Sequence, residues 1–130
     1  MLDKAKYWLD LAEDDISVAE LLLAGNKYLQ AGFFCHLTAE KALKAVIAHE
    51  TNETPPKIHN LITLAKHGKI FPALSNNQLL LLNDLMPLQI EARYPEYKKN
   101  IAETLSNELC KRLLEETEAF LCWIKQELGK

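Results

Sequence analysis

Apolar side chains spaced at three- and four-residue steps, with few breakers between them, most constrain this fold. From Asp3 to Ala24 the residues Ala5, Trp8, Ala12, Ile16, Ala19 and Leu23 keep that spacing, which draws one stripe along an amphipathic helix. Gly25-Asn26 then supplies the small, left-handed-tolerant residues that end helices. A second helix is expected from Tyr28 to Glu50, stopping in "TNETPPK", because a double proline cannot continue it and pushes Thr54 towards extended geometry. Asn60 is placed to cap a short third helix, "LITLAKH", which Gly68 closes. Ser75 or Asn76 caps a fourth, "NQLLLLNDLMPLQIEA", reaching Ala92 or Arg93 with a kink or split at Pro87. "RYPEYKKN" reads as a loop by its proline. A last long helix covers Ile101 to Leu128, with Leu105, Leu109, Leu113, Phe120 and Ile124 on one stripe. No stretch alternates in the manner of a strand, so the expected architecture is all-α: an antiparallel up-and-down bundle of about five helices.

The length of 130 residues suits a single domain, 1–130, with one good core. A net charge of -3 gives no general attraction to nucleic acid, so any such site must be a local basic patch. Three cysteines, Cys35, Cys110 and Cys122, form no CxxC pair; this argues against a disulfide framework or zinc knuckle and for a reducing cytoplasm. The charged start "MLDKAKYWLDLAEDD" is no signal peptide, and no apolar run approaches the ~20 residues that span a bilayer. The expected location is cytoplasmic.

One segment departs from ordinary patterning. "HLTAEKALKAVIAHE" carries His36, Glu40, Lys41 and Lys44 amid mostly apolar neighbours. At about 100° per residue, one side of this helix holds Phe34, Cys35, Thr38, Ala39, Ala42, Leu43, Ala45 and Val46. The other mixes His36, Glu40, Lys41 and Lys44 with Phe33, Leu37 and Ile47. One reading is a solvated face with an i,i+4 Glu40–Lys44 pair worth ~0.3–0.5 kcal/mol. The other is a half-apolar groove or subunit interface, because a solvated face gains nothing from three large apolar groups. Asp15 likewise falls within the first helix's apolar stripe. It either meets a cation, with Lys41, Lys44 and Arg93 as candidates, or reaches solvent at the bundle rim.

Few chemistries fit. His36 and Glu40 make half a metal site with no further ligands at suitable spacing, so no metal or other cofactor is expected. No serine has a nucleophile-elbow context, and no glycine-rich phosphate loop is present. "EARYPEYKK" gathers Arg93, Lys98 and Lys99 with Tyr94 and Tyr97, a cluster suited to phosphate held by arginine's fork and a base stacked on tyrosine. Composition alone favours a plain loop there, with Tyr94 packed inward and the lysines in water.

These pieces together resemble the HEPN family of small helical domains linked to nucleotide and RNA chemistry. Trp8 followed by Asp15-Ile16 and Ala19 is similar to the family's first-helix pattern, and "AGFFCHLTAEKALKAV" to its central A-E-K-x-L-K segment. His59-Asn60 in "IHNL" and the later "ARYPEY" complete the ordered set over nearly the whole chain. The resemblance implies a helical bundle that commonly dimerises, building a cleft between subunits. Many members are metal-independent RNases using an arginine and, four to six residues on, a histidine, the first holding phosphate and the second moving a proton. Arg93 matches the arginine, but Lys98, Lys99 and Asn100 occupy the histidine's places. Lysine holds its proton too tightly at neutral pH to replace it, so the chain is expected not to be a standard HEPN RNase, unless His36, His59 or His67 reaches the cleft from another helix.

The resulting expectation is a HEPN-like protein binding a nucleotide or RNA phosphate in a homodimer cleft. As a short chain it is expected to partner a minimal nucleotidyltransferase in a two-gene toxin–antitoxin-type system. Arg93, Lys41, Lys44, Tyr94 and Tyr97 are the binding residues, and Asp15, Glu40, His36 and His59 support them. The alternatives are a metal-independent RNase with a non-standard proton shuttle, and a non-catalytic dimerisation module in which Phe33, Leu37 and Ile47 form the contact.

Overall fold

The computed structural model describes residues 3–91 and 93–130. Among them lie six α-helices: α1 (Asp3–Ala24), α2 (Tyr28–Thr51), α3 (Leu61–His67), α4 (Asn76–Leu85), α5 (Pro95–Thr104) and α6 (Asn107–Leu128). Single 3-10 turns cover Phe71–Ala73 and Met86–Leu88, and the described residues form no strand. The all-α expectation holds, with six helices where about five were expected.

Helix α2 is central. It packs along α1 on one side and α6 on another, and α3, α4 and α5 also touch it. Ala31, Cys35, Ala39, Ala42 and Ala45 are all buried on it, and such small side chains let neighbouring backbones approach closely. From Ala42 to Ala48 every residue is buried, so here the helix has no solvent face at all. Helix α1 presents Ala5, Leu9, Ala12, Ile16 and Ala19 to the core, and α6 presents Leu113, Phe120 and Ile124. Burial overturns one expectation: Ile47 lies in the core, so it cannot belong to a subunit contact with Phe33 and Leu37.

The caps follow the sequence closely. Asn26 adopts φ 60°, and the Lys27 N–H bonds the Leu22 carbonyl at 2.8 Å, closing α1 and turning the chain back. Asn60 Oδ1 accepts from the Thr63 N–H, and Ser75 forms a full capping box with Gln78. Gly68 ends α3 where a Cβ would stand 3.1 Å from Val46 Cγ1 and 3.3 Å from Ile47 Cγ1. Gly68→Val is therefore expected to destabilise the fold by ~1–3 kcal/mol through overpacking. An unchanged urea midpoint would show that α3 does not sit this close to α2.

Two expectations fail around the prolines. The fourth helix ends at Leu85 rather than near Arg93, because Pro87 lacks the amide that would continue it; a 3-10 turn follows. Ala92, the other expected end, lies outside the described residues. "RYPEYKKN" is mostly helix: Pro95 takes the first helical position, where no intrahelical amide is needed. The single helix expected over Ile101–Leu128 is broken at Leu105-Ser106, where the Ser106 hydroxyl caps α6 by accepting from the Leu109 N–H. Cys35 and Cys110 are buried and Cys122 is exposed, all as free thiols. Burial pushes the Cys35 thiol up to about 12, which leaves it inert. No helix of the described residues is long and apolar enough to cross a membrane.

Candidate functional site

The i,i+4 spacing of His36, Glu40 and Lys44 aligns them on one face of α2, and the central position of that helix puts the face indoors. His36 is 0% exposed, Glu40 2% and Lys44 6%, so the solvated-face reading is wrong. Lys44 Nζ lies 3.0 Å from Glu40 Oε2 and 5.4 Å from the centre of the Trp8 ring. The pair is thus covered by an aromatic side chain of α1, and each buried charge is held by an opposite one or a π face.

The second Glu40 oxygen faces the loop before α3. His59 Nδ1 stands 3.0 Å from Glu40 Oε1, a side-chain hydrogen bond that ties the far end of that loop to α2. An ionised carboxylate offers acceptors only, so in this contact Nδ1–H donates to Glu40. The His59 side chain is 58% exposed while its partner is almost wholly covered. His36 Nδ1 is 3.7 Å from the same oxygen, too far for a hydrogen bond. Burial drives the His36 pKa down to about 4 despite the attraction of Glu40, so this ring is neutral at pH 7. Both its nitrogens are buried without a hydrogen-bond partner among the described residues.

Asp15 finds one of its three candidate cations. Lys41 Nζ meets Asp15 Oδ2 at 2.5 Å, tying α2 to α1 at a half-buried position. Arg93 and Lys44 lie elsewhere.

Arg93 lines a separate concavity of about 560 Å³, together with His59, Asn60, Asn83, Gln89 and Tyr97. Met86 and Pro87 supply its apolar floor. Arg93 Nε donates to the Gln89 carbonyl at 3.1 Å, and the guanidinium carbon sits 4.7 Å from the centre of the Tyr97 ring. Tyr97 is itself anchored, its hydroxyl donating to the Pro87 carbonyl at 3.2 Å. Two of the three amide side chains are internally committed through their oxygens. Asn60 Oδ1 accepts from the Thr63 N–H, and Gln89 Oε1 accepts from the Glu91 N–H. Their NH₂ groups remain as donors. Among the described residues no carboxylate lines the cleft, so its walls are rich in donors and carry the positive charge of Arg93.

Of the residues the sequence singled out, the cleft thus unites Arg93, Tyr97 and His59. Glu40 and His36 stand behind His59. Lys41, Lys44 and Asp15 are engaged at the α1–α2 contact and do not line it. Tyr94 is the N-cap residue of α5 and 84% exposed, so the inward packing considered for it does not occur. Asn83 and Gln89 were missed, since an isolated amide near a helix end carries no signal of its own. Asn60 was legible only as a cap.

The family model described as HEPN domain matches residues 5–128. The chain belongs to the HEPN family. Two solved structures share the fold of this HEPN chain. TT1696 from Thermus thermophilus is 19% identical, covering 96% of this chain and 98% of its own, with a TM-score of 0.80. ST0689, described as an archaeal HEPN homologue, is 20% identical, covering 98% and 99%, with a TM-score of 0.68. No curated protein matches the chain.

Proposed function

We propose that this HEPN protein binds the phosphate of a nucleotide or RNA in the cleft lined by Arg93, His59 and Tyr97. The observation that carries the reading is the donor-rich wall: Arg93 has its guanidinium stacked on Tyr97, beside Asn60 and Gln89, whose oxygens are already occupied, and no carboxylate among the described residues lines the cleft. Phosphate is acceptor-only and anionic, and a stacked, pre-oriented guanidinium loses little freedom on binding it. The volume suits a nucleotide-sized group. Lys41 and Lys44, each committed to a carboxylate, act through the scaffold rather than on the ligand. In keeping with the family, the protein works as a homodimer. Its partner is a minimal nucleotidyltransferase, in a two-gene toxin–antitoxin-type system.

Fluorescence anisotropy with a labelled mixed-sequence single-stranded RNA tests the site. Arg93→Ala removes charge-assisted hydrogen bonds of ~1.5–3 kcal/mol, so affinity is expected to fall roughly 10- to 100-fold. Lys41→Ala is expected to leave RNA affinity nearly unchanged. The reverse pattern would move the site away from the cleft. Light scattering of the purified chain tests the dimer, which a monomer at all concentrations would contradict.

A further inference from the structure

Away from the Arg93 cleft, α4 and α6 meet along a seam that their side chains do not fill. Two hollows lie in it. One, of about 360 Å³, has Leu88, Ile101, Leu105 and Leu109 among its walls, and the exposed Thr104 at its rim. The other, of about 340 Å³, lies towards the start of α4 against Asn77, Leu81, Ala119 and Phe120. Leu109 belongs to the first and Glu116 to the second, seven residues and therefore about 10 Å apart along α6. Between the hollows Arg112 crosses the seam, its guanidinium 3.5 Å from Asp84 and 3.8 Å from Glu116. All three side chains are about half exposed, so this bridge is loosely held and adds little to stability. Leu80, one turn before Asp84 on α4, is 60% exposed and continues the apolar surface at the outer lip.

We propose that this seam is a docking groove for an amphipathic helix of a protein partner, one with large apolar side chains at positions i and i+7 and basic residues between them. The spacing carries the apolar part. Two turns of a helix advance ~11 Å, so one anchor enters each hollow while the partner's axis follows α6. Grooves that bind helices read an apolar face by anchors at such intervals. Charge complementarity sets the sign of the partner's polar residues. Asp84 and Glu116 flank the bridge, and at about 100° per residue Glu108 and Glu115 fall just outside Arg112 on α6, with Lys111 further round. Four exposed acids thus surround one arginine, which favours lysine or arginine on the incoming helix and repels a nucleic-acid backbone. A basic residue at i+3 or i+4 of the partner falls over Asp84 and Glu116, midway between the anchors. The groove is a different surface from the Arg93 cleft, although Pro87 borders both.

Fluorescence anisotropy of the full chain with a labelled synthetic peptide supplies the test. The probe is an alanine- and glutamine-rich helix with leucines seven residues apart and a pair of lysines midway. A control peptide of the same composition places the leucines on opposite faces. Saturable binding of the first peptide is expected, at least roughly tenfold tighter than that of the control. Thr104→Arg and Ala119→Arg each set a long side chain at one hollow and should weaken binding roughly 10- to 100-fold. Both positions are exposed, so the urea midpoint should not move. Asp84→Asn/Glu116→Gln reads the charge: affinity should fall about 3- to 30-fold and lose much of its dependence on salt. Arg93→Ala should bind the peptide as the wild type does, which keeps the outcome independent of phosphate binding. No saturable binding, equal binding of the two peptides, or affinity unmoved by both Thr104→Arg and Ala119→Arg would overturn the proposal. So would light scattering in which Ala119→Arg turns a wild-type dimer into a monomer, since a second copy would then occupy the seam.

Discussion

Glu40→Leu is expected to destabilise the protein by ~3–5 kcal/mol, the largest effect of any single replacement considered for this chain. The reason is the neighbour it abandons. Lys44 is 6% exposed and lies between Glu40 and the Trp8 ring, so without the carboxylate its ammonium is buried with only a π face for company. His59 also loses the acceptor that fastens the loop before α3 to α2. Leucine's own burial does not offset this, since desolvating an unpaired charge outweighs the gain from one apolar side chain. The double variant Glu40→Leu/Lys44→Met removes both charges and should recover much of the loss. Urea unfolding of the set checks this: a single variant as stable as wild type, or a double variant worse than the single, would contradict the buried-pair account.

Acidification is expected to weaken the fold through His36. The unfolded chain protonates this residue near its ordinary value of 6.5, whereas burial holds the folded ring neutral down to about 4. Between those values the unfolded state binds more protons, so stability rises with pH and is lost as pH falls. The loss attributable to His36 reaches ~3 kcal/mol by pH 4. Glu40 opposes the shift by attracting the imidazolium, while the Lys44 ammonium reinforces it. Chemical denaturation at pH 7 and at pH 4.5 measures the effect, and His36→Leu isolates it from the titration of other groups. A wild-type loss no larger than that of His36→Leu would mean that His36 takes up a proton in the folded state.

Local chemistry in the sequence foretold much of the framework. Asn60 and Gly68 bound α3 where expected, and Ser75 caps α4, because capping depends on neighbours a few residues away. The errors were local as well, but ambiguous. A proline at the first helical position looks like a proline in a loop, and a serine inside a long periodic run conceals a new N-cap at Ser106. The charges of α2 were harder to place. Their spacing was plain, but whether that face met water depended on α2 lying at the centre of the bundle, which no window of its sequence encodes. Asp15 was readable as far as needing a cation, and Lys41 proved to be the one. The bond from Glu40 to His59 crosses the double-proline loop, and the approach of His59 to Arg93 crosses two helices more. Such meetings are properties of topology; Arg93 and Tyr97 stood out through their basic, tyrosine-bearing cluster and the family resemblance, whereas Asn83 and Gln89 had no such signal.

The central claim is that phosphate enters the Arg93 cleft, and a ¹H–¹⁵N NMR titration of the labelled protein with single-stranded RNA tests it most directly. Saturable shifts are expected at Arg93 Nε, the His59 ring and the Asn60 and Gln89 side-chain amides, with the Asp15–Lys41 contact undisturbed. Shifts concentrated instead around Lys41 and Lys44, or none that saturate, would contradict the account.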